Sequence, residues 1–159
     1  MGASPASRER GKIAYMQPKH RVLIAAQPAA ATVLQEMLED VLDLIPAYTR
    51  TEGLAVLQSE PGSIALIIST IAFDDSRMLE FLETVKRNSR TSAISFLCCR
   101  ILPSVLPNDS MERLGQLCRY LGAADFIDFP AMDLKHGAKA AQAEFRNAVM
   151  KCVAVLPGP

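Results

Sequence analysis

Short apolar runs alternate along this chain with longer stretches in which apolar residues recur every three or four positions. The clearest runs are Arg21–Ala25, Ile64–Ile68 and Ala93–Cys99, and each is too short for a buried helix. Ile64–Ile68 is continuously apolar, which is typical of a central strand covered on both faces. Because chemistry gathers at the carboxyl ends of strands in open α/β sheets, Ser69 and Thr70, which follow this run, are informative positions.

The amphipathic stretches predict helices between these strands. The first spans about residues 28–44, where Leu34, Met37 and Val41 lie three or four positions apart, and Pro46 would prevent it from continuing. The other helices are predicted at about 51–58, 78–88, 109–122 and 133–155, with a weak strand at 47–49 and a fifth strand and its exit at 124–130. Five alternations of strand and helix predict an α/β fold, namely a doubly wound five-stranded parallel sheet with helices on both faces.

Composition changes this picture only at the ends of the chain. Residues 1–18 mix small, charged and proline residues without periodicity, which predicts a flexible tail with at most a short pairing segment at 13–16. Residues 19–157 then form one predicted domain, since half of the 159 residues are apolar and no internal repeat interrupts the pattern.

Charge and cysteine usage limit the classes of partner. The chain has 17 basic and 17 acidic residues and no tryptophan, which argues against a nucleic acid or a membrane surface as a direct partner. None of the four cysteines forms a CxxC pair, and no histidine lies at zinc-ligand spacing, so we expect no metal and no cofactor. Buried, reduced thiols at Cys98 and Cys99, and the lack of a signal-peptide core, predict a soluble cytoplasmic protein.

The order of the predicted elements, together with two short segments, resembles that of a known protein family. Arg21–Ala25 leading into Pro28, and Gly122–Pro130, resemble the first strand and the Gly-Ala-x-Asp-aromatic-aliphatic-x-Lys-Pro segment of bacterial two-component receiver domains. The resemblance covers about residues 19–155. It implies a flavodoxin-like fold and a place in signal transduction, and it assigns the positions at which the family binds Mg²⁺ and accepts a phosphoryl group.

The resemblance implies that the metal-binding and acceptor positions of this chain are replaced. Ala26 and Gln27 stand where the family has an acidic pair after its first strand. Ser69, with Thr70 next to it, stands where the phospho-accepting aspartate ends the third strand. Mg²⁺ prefers carboxylate oxygens, so this set predicts that no metal binds.

The two remaining chemical positions of the family are replaced as well. Cys99, or Cys98 if the register shifts by one residue, stands where a serine or threonine contacts the phosphoryl group. Phe129 stands where the family has a lysine. Because phosphoryl transfer depends on positioning and charge neutralisation, we expect a degenerate pocket and no enzymatic activity.

The resemblance also implies an interaction surface made by the fourth helix, the fifth strand and the fifth helix. Phe126 stands at the family's switch-aromatic position, and Arg119, Tyr120 and Asp128 are predicted to be exposed contacts of this surface. The leading hypothesis is a pseudo-receiver that docks a protein partner or a second copy of itself, independently of phosphorylation.

Two alternatives remain open. Asp74 or Asp75, predicted mainly as caps of the third helix, could accept a phosphoryl group in an atypical design. Arg100 and Ser69 could bind a small molecule or an anion at the carboxyl edge of the sheet, near the apolar loop Ile101–Leu106 that could cover it. The turn after the first strand has no glycine, which argues against a nucleotide.

Overall fold

A computed structural model describes residues 18–59, 62–103 and 108–154. The predictions for the tail and for residues 104–106 and 155–157 fall wholly or largely outside these ranges. The strands are β1 (Arg21–Ala25), β2 (Asp43–Ala47), β3 (Ile64–Thr70), β4 (Ser95–Arg100) and β5 (Asp125–Asp128). The helices are α1 (Pro28–Leu38), α2 (Arg50–Ser59), α3 (Phe73–Ser76), α4 (Met78–Arg87), α5 (Asn108–Tyr120), α6 (Phe129–His136) and α7 (Ala138–Ala154).

The strands form one parallel sheet in the order β2-β1-β3-β4-β5. All seven residues of β3 are buried, as expected for a central strand with helices on both faces. One core lies between the sheet and α1, α6 and α7, and it includes Ile68 and Phe145. The other lies between the sheet and α2, α4 and α5, and it includes Ile67 and Phe81. The predicted fold is confirmed.

The first helix is shorter than the sequence predicts. It ends at Leu38, residues 39–42 form a turn, and Asp43 and Leu44 belong instead to β2, which begins at Asp43 rather than at residue 47. Pro46 therefore lies inside a strand, in register with Ile24. Because β2 is an edge strand with a free side, the missing amide of a proline is tolerated there.

The last predicted helix is in fact two helices. Phe129 and Pro130, expected in the exit of the fifth strand, begin α6, whose first turn is capped by the Asp128 carboxylate accepting from the amide of Ala131. Gly137, with φ of 86°, separates α6 from α7. Only glycine adopts this backbone conformation without strain, so it explains the break.

The acidic residues before α4 do not cap that helix. Asp74, Asp75 and Ser76 form a left-handed turn with φ between 46° and 63°, and Arg77 precedes α4 without a side-chain cap. The Asp74 carboxylate instead accepts a hydrogen bond of 2.9 Å from the amide of Arg50 at the start of α2. The local spacing predicts that Asp74 caps α4, but in the folded chain its carboxylate binds the first amide of α2 instead.

Candidate functional site

A cavity of about 180 Å³ lies at the carboxyl edge of the sheet, where β3 and β4 end and α1 begins. Its lining comprises Gln27, Ala30, Thr70, Ile71, Ala72, Arg100, Ile101, Leu102 and Pro103. The described part of the apolar loop, residues 101–103, thus borders the edge of the sheet, as the sequence predicts. None of the lining residues is acidic.

Strand alternation separates the two hydroxyl residues that end β3. Ile68 packs on the α1 side of the sheet and Ile67 on the α2 side, so Thr70 faces α1 and Ser69 faces α2. Thr70 therefore lines the cavity with Gln27, whereas Ser69 lies on the opposite face. Both hydroxyl oxygens are buried and have no hydrogen-bond partner within the described residues.

The other predicted pocket residues belong to the apolar core. Ala26, Cys99 and Phe129 are buried on the α1 side of the sheet, where the Phe129 ring packs edge-on against Phe145 with centroids 5.9 Å apart. Burial raises the pKa of the Cys99 thiol, which donates to the carbonyl oxygen of Ser69 at 3.6 Å. These positions are packed, and they do not surround a shared open site.

Cys98 lies on the other face of the sheet, behind α5. A hydrogen bond with the Cys118 thiol, together with burial, raises the pKa of Cys98. Both cysteines are fully buried, so neither thiol has the exposed, electropositive surroundings that make a cysteine reactive.

The donor set at this edge does not fit a divalent metal ion. Mg²⁺ takes hard oxygen ligands and relies on carboxylates, and the lining described above offers only one hydroxyl and one carboxamide side-chain oxygen. No group of three or more histidine, cysteine, aspartate or glutamate side chains that could hold a metal occurs in the described ranges.

Asp74, the alternative phospho-acceptor, is engaged elsewhere. Its carboxylate accepts from the amide of Arg50 and lies 3.6 Å from the Arg50 guanidinium, which also binds Glu80 at 2.9 Å. Asp75 is exposed. The Asp74 carboxylate therefore stabilises the start of α2.

A largely buried ion pair lies at the ends of β4 and β5. Arg100 Nε donates to Asp128 Oδ1 at 2.8 Å and Nη2 donates to Oδ2 at 3.2 Å, with the two side chains 10% and 18% exposed. The Asp128 side chain is thus less exposed than predicted, and its role as a contact of the interaction surface stays a prediction. Sequence could not reveal this pair, because Arg100 and Asp128 lie 28 positions apart.

A groove of about 630 Å³ runs between α5 and α6 above β5, and we call its residues the α5–β5–α6 face. Met111, Phe126 and Pro130 are apolar parts of its lining, and Arg119 and Leu134 are among its exposed members. Leu134 is 92% exposed and extends the apolar lining of the groove to the protein surface. Arg119 pairs with Asp125 at 3.0 Å, with both side chains half exposed.

The predicted contacts of this face are only partly brought together. Phe126, Arg119 and Asp128 line the groove. Tyr120, although 86% exposed, is not part of the lining. Sequence reasoning missed Leu134 because residues 133–155 were predicted as one helix. Pro130 and Gly137 were the signals that a separate helix begins and ends there.

Comparisons with known proteins bear on the fold. No family model matches the chain, and no curated protein matches its sequence significantly. The signal receiver domain of a histidine kinase from Syntrophus aciditrophicus matches with a TM-score of 0.61 and 20% identity, covering 85% of this chain and 90% of that domain.

Two further solved structures agree. An orphan response regulator of H. pylori has a TM-score of 0.58 and 14% identity over 86% of this chain and 99% of its own. The Mn²⁺-bound form of a response regulator has a TM-score of 0.61 and 16% identity over 89% and 99%. The chain therefore has the fold of response-regulator receiver domains, and at these identities the likeness establishes the fold alone.

Proposed function

We propose that this chain is a non-catalytic, receiver-like interaction module in signal transduction or regulation, in which phospho-acceptor chemistry is lost. The carboxyl-edge cavity carries the proposal, because its described lining contains no carboxylate. In the receiver design, the phosphoryl acceptor is a carboxylate, and further carboxylates hold the metal ion that neutralises the phosphoryl charge. The Ser69 hydroxyl cannot substitute, since it is buried on the opposite face without a neighbouring base.

The module contacts a protein partner, or a second copy of this chain, through the α5–β5–α6 face. The apolar floor at Met111 and Phe126, beside the exposed Leu134, is the arrangement expected of a binding surface. The balanced charge supports neither direct nucleic-acid binding nor attraction to a membrane surface. None of the described helices is both long and apolar enough to cross a membrane. In this proposal the module acts in the cytoplasm.

Intact-mass analysis tests the loss of acceptor chemistry. The chain is incubated with Mg²⁺ and a small-molecule phosphodonor beside a conventional receiver domain as positive control. We expect an adduct on the control and none on this chain. An adduct mapped to Asp74, Asp75, Ser69 or Thr70 would overturn the proposal and define a phospho-switch with a rebuilt site.

Sedimentation over a concentration series tests the proposed face. Leu134→Ser removes the exposed apolar side chain from the groove, and Arg119→Ala removes a cation that lines it. Tyr48→Ser is the matched control, because Tyr48 is also exposed but follows β2 at the other edge of the sheet. If the chain self-associates, we expect the first two variants to weaken association about tenfold, with the control unchanged. Equal association of all three would show that the face is assigned wrongly.

If the wild-type chain remains a monomer, the occupant of the face is a different protein. The same three variants are then compared for binding to that partner, with the same order of effects expected.

A further inference from the structure

The charges on the α5–β5–α6 face are balanced in a way that suits a second copy of the same face. The two ion pairs described above already neutralise Arg100 and Arg119 within the chain. The charges that remain in the groove lining are Glu112 and Lys135, which are both exposed. Neither has an ion-pair partner among the residues that the structure describes. A face with one unpaired charge of each sign does not repel its own copy.

The two unpaired charges lie on opposite walls of the groove, because Glu112 belongs to α5 and Lys135 to α6. In a twofold pair both copies use the same patch, so a contact from one residue to another is repeated in the reverse direction. When the twofold axis runs along the groove, α5 of one copy lies against α6 of the other. Glu112 of each copy then faces Lys135 of the partner subunit, and this pair of opposite charges forms twice.

The apolar residues of the groove suit the same symmetry. Leu134 belongs to the α6 wall and is 92% exposed, whereas Met111 and Phe126 in the floor are buried. The same twofold axis brings Leu134 of each copy over the floor of the other. Because each chain supplies one exposed leucine and one apolar groove, both leucines leave water in a single association step.

A glycine inside α5 leaves additional space in the groove. Gly115 lines the groove, and it is not among the glycines whose positive φ excludes other residues. A methyl group at this position would lie 3.4 Å from both Phe126 and Arg119, at the near limit of ordinary van der Waals contact. The packing of the chain itself therefore does not exclude alanine, which is more favourable than glycine inside a helix. Space kept open at this cost favours an occupant of the groove.

We propose that the occupant of the α5–β5–α6 face is a second copy of this chain, in a twofold dimer in which Glu112 pairs with Lys135 and each Leu134 packs on the floor of the other copy. The dimer rests on the proposed interaction face and adds its partner, its symmetry and its contacts. Eleven residues line the groove, compared with about 20–30 on each side of a standard stable interface. The dissociation constant should therefore be roughly micromolar.

Charge reversal combined with mixing tests the symmetry. Glu112→Lys gives its homodimer two pairs of like charges, and Lys135→Glu does the same with the opposite sign. In an equimolar mixture of the two variants, a copy with lysine at both positions meets a copy with glutamate at both, so both pairs of the heterodimer are attractive. We expect each variant alone to dimerise about tenfold more weakly than the wild type at low salt, and the mixture to regain the wild-type affinity.

Sedimentation equilibrium of the full chain, over a concentration series at low and at high salt, measures these affinities. Arg113→Glu is the matched control, because it reverses an exposed charge on α5 that does not line the groove, and it should leave dimerisation unchanged. A wild-type chain that stays monomeric far above micromolar concentration would overturn the second copy as occupant but leave the face open to another protein. A dimer that both charge reversals leave intact would show that the copies meet elsewhere and would count against the face itself. Weak dimerisation of both variants without recovery in the mixture would contradict the twofold arrangement.

Discussion

The Arg100–Asp128 pair allows a quantitative test of how the carboxyl edge is held together. Asp128→Asn keeps the size of the side chain and its ability to cap α6, because asparagine is as good a cap as aspartate. It removes the negative charge from a guanidinium that is 10% exposed. Breaking a buried ion pair in this way costs about 3–5 kcal/mol, and the partial exposure of Asp128 places the expected loss near 3 kcal/mol.

The assay is urea unfolding followed by circular dichroism. For a slope of about 2 kcal/mol per M, a loss of about 3 kcal/mol lowers the midpoint by roughly 1.5 M. Asp125→Asn is the control, since Asp125 pairs with Arg119 through side chains that are each 51% exposed. An exposed pair contributes about 0.2–1 kcal/mol, and this smaller effect should shrink further in high salt.

A double variant tests whether the loss arises from removing only one of the two charges. Arg100→Met combined with Asp128→Asn removes both charges but keeps the cap of α6, so it should be more stable than Asp128→Asn alone. If Asp128→Asn destabilises the chain no more than Asp125→Asn does, the ion pair is not effectively buried. The account of this edge given above would then be wrong.

Two further predictions concern side chains elsewhere in the fold. Hydrogen bonds from Arg146 hold the pKa of Asp40 below its ordinary value of 3.8. The stability from this contact is therefore present above pH 3.8 and is lost as pH falls through the lowered pKa. Arg146→Met should accordingly lower the urea midpoint more at neutral pH than near pH 2, and equal losses would contradict the contact. A thiol-reactive reagent should modify at most Cys152 in the native protein, because the other three thiols are fully buried. All four thiols should react in denaturant. Rapid modification of a second thiol in the native protein would contradict the burial of Cys98, Cys99 and Cys118.

The sequence predicts the sheet because most of its strands are continuous apolar runs bounded by turn residues. β2 is the exception, since Asp43 and Pro46 interrupt its apolar pattern, as an edge strand permits. The missed break at Gly137 has a different cause. The periodicity of α7 continues backwards into α6, so only the glycine marks the boundary.

The candidate site is harder to predict than the fold because β3 is buried on both faces. A half-buried strand alternates apolar and polar residues, and this alternation shows which side chains share a face. Ile64–Ile68 has no such alternation, so the sequence alone could not show which of Ser69 and Thr70 faces α1 and which faces α2. The Arg100–Asp128 pair depends on the register of β4 with β5, which is a tertiary property.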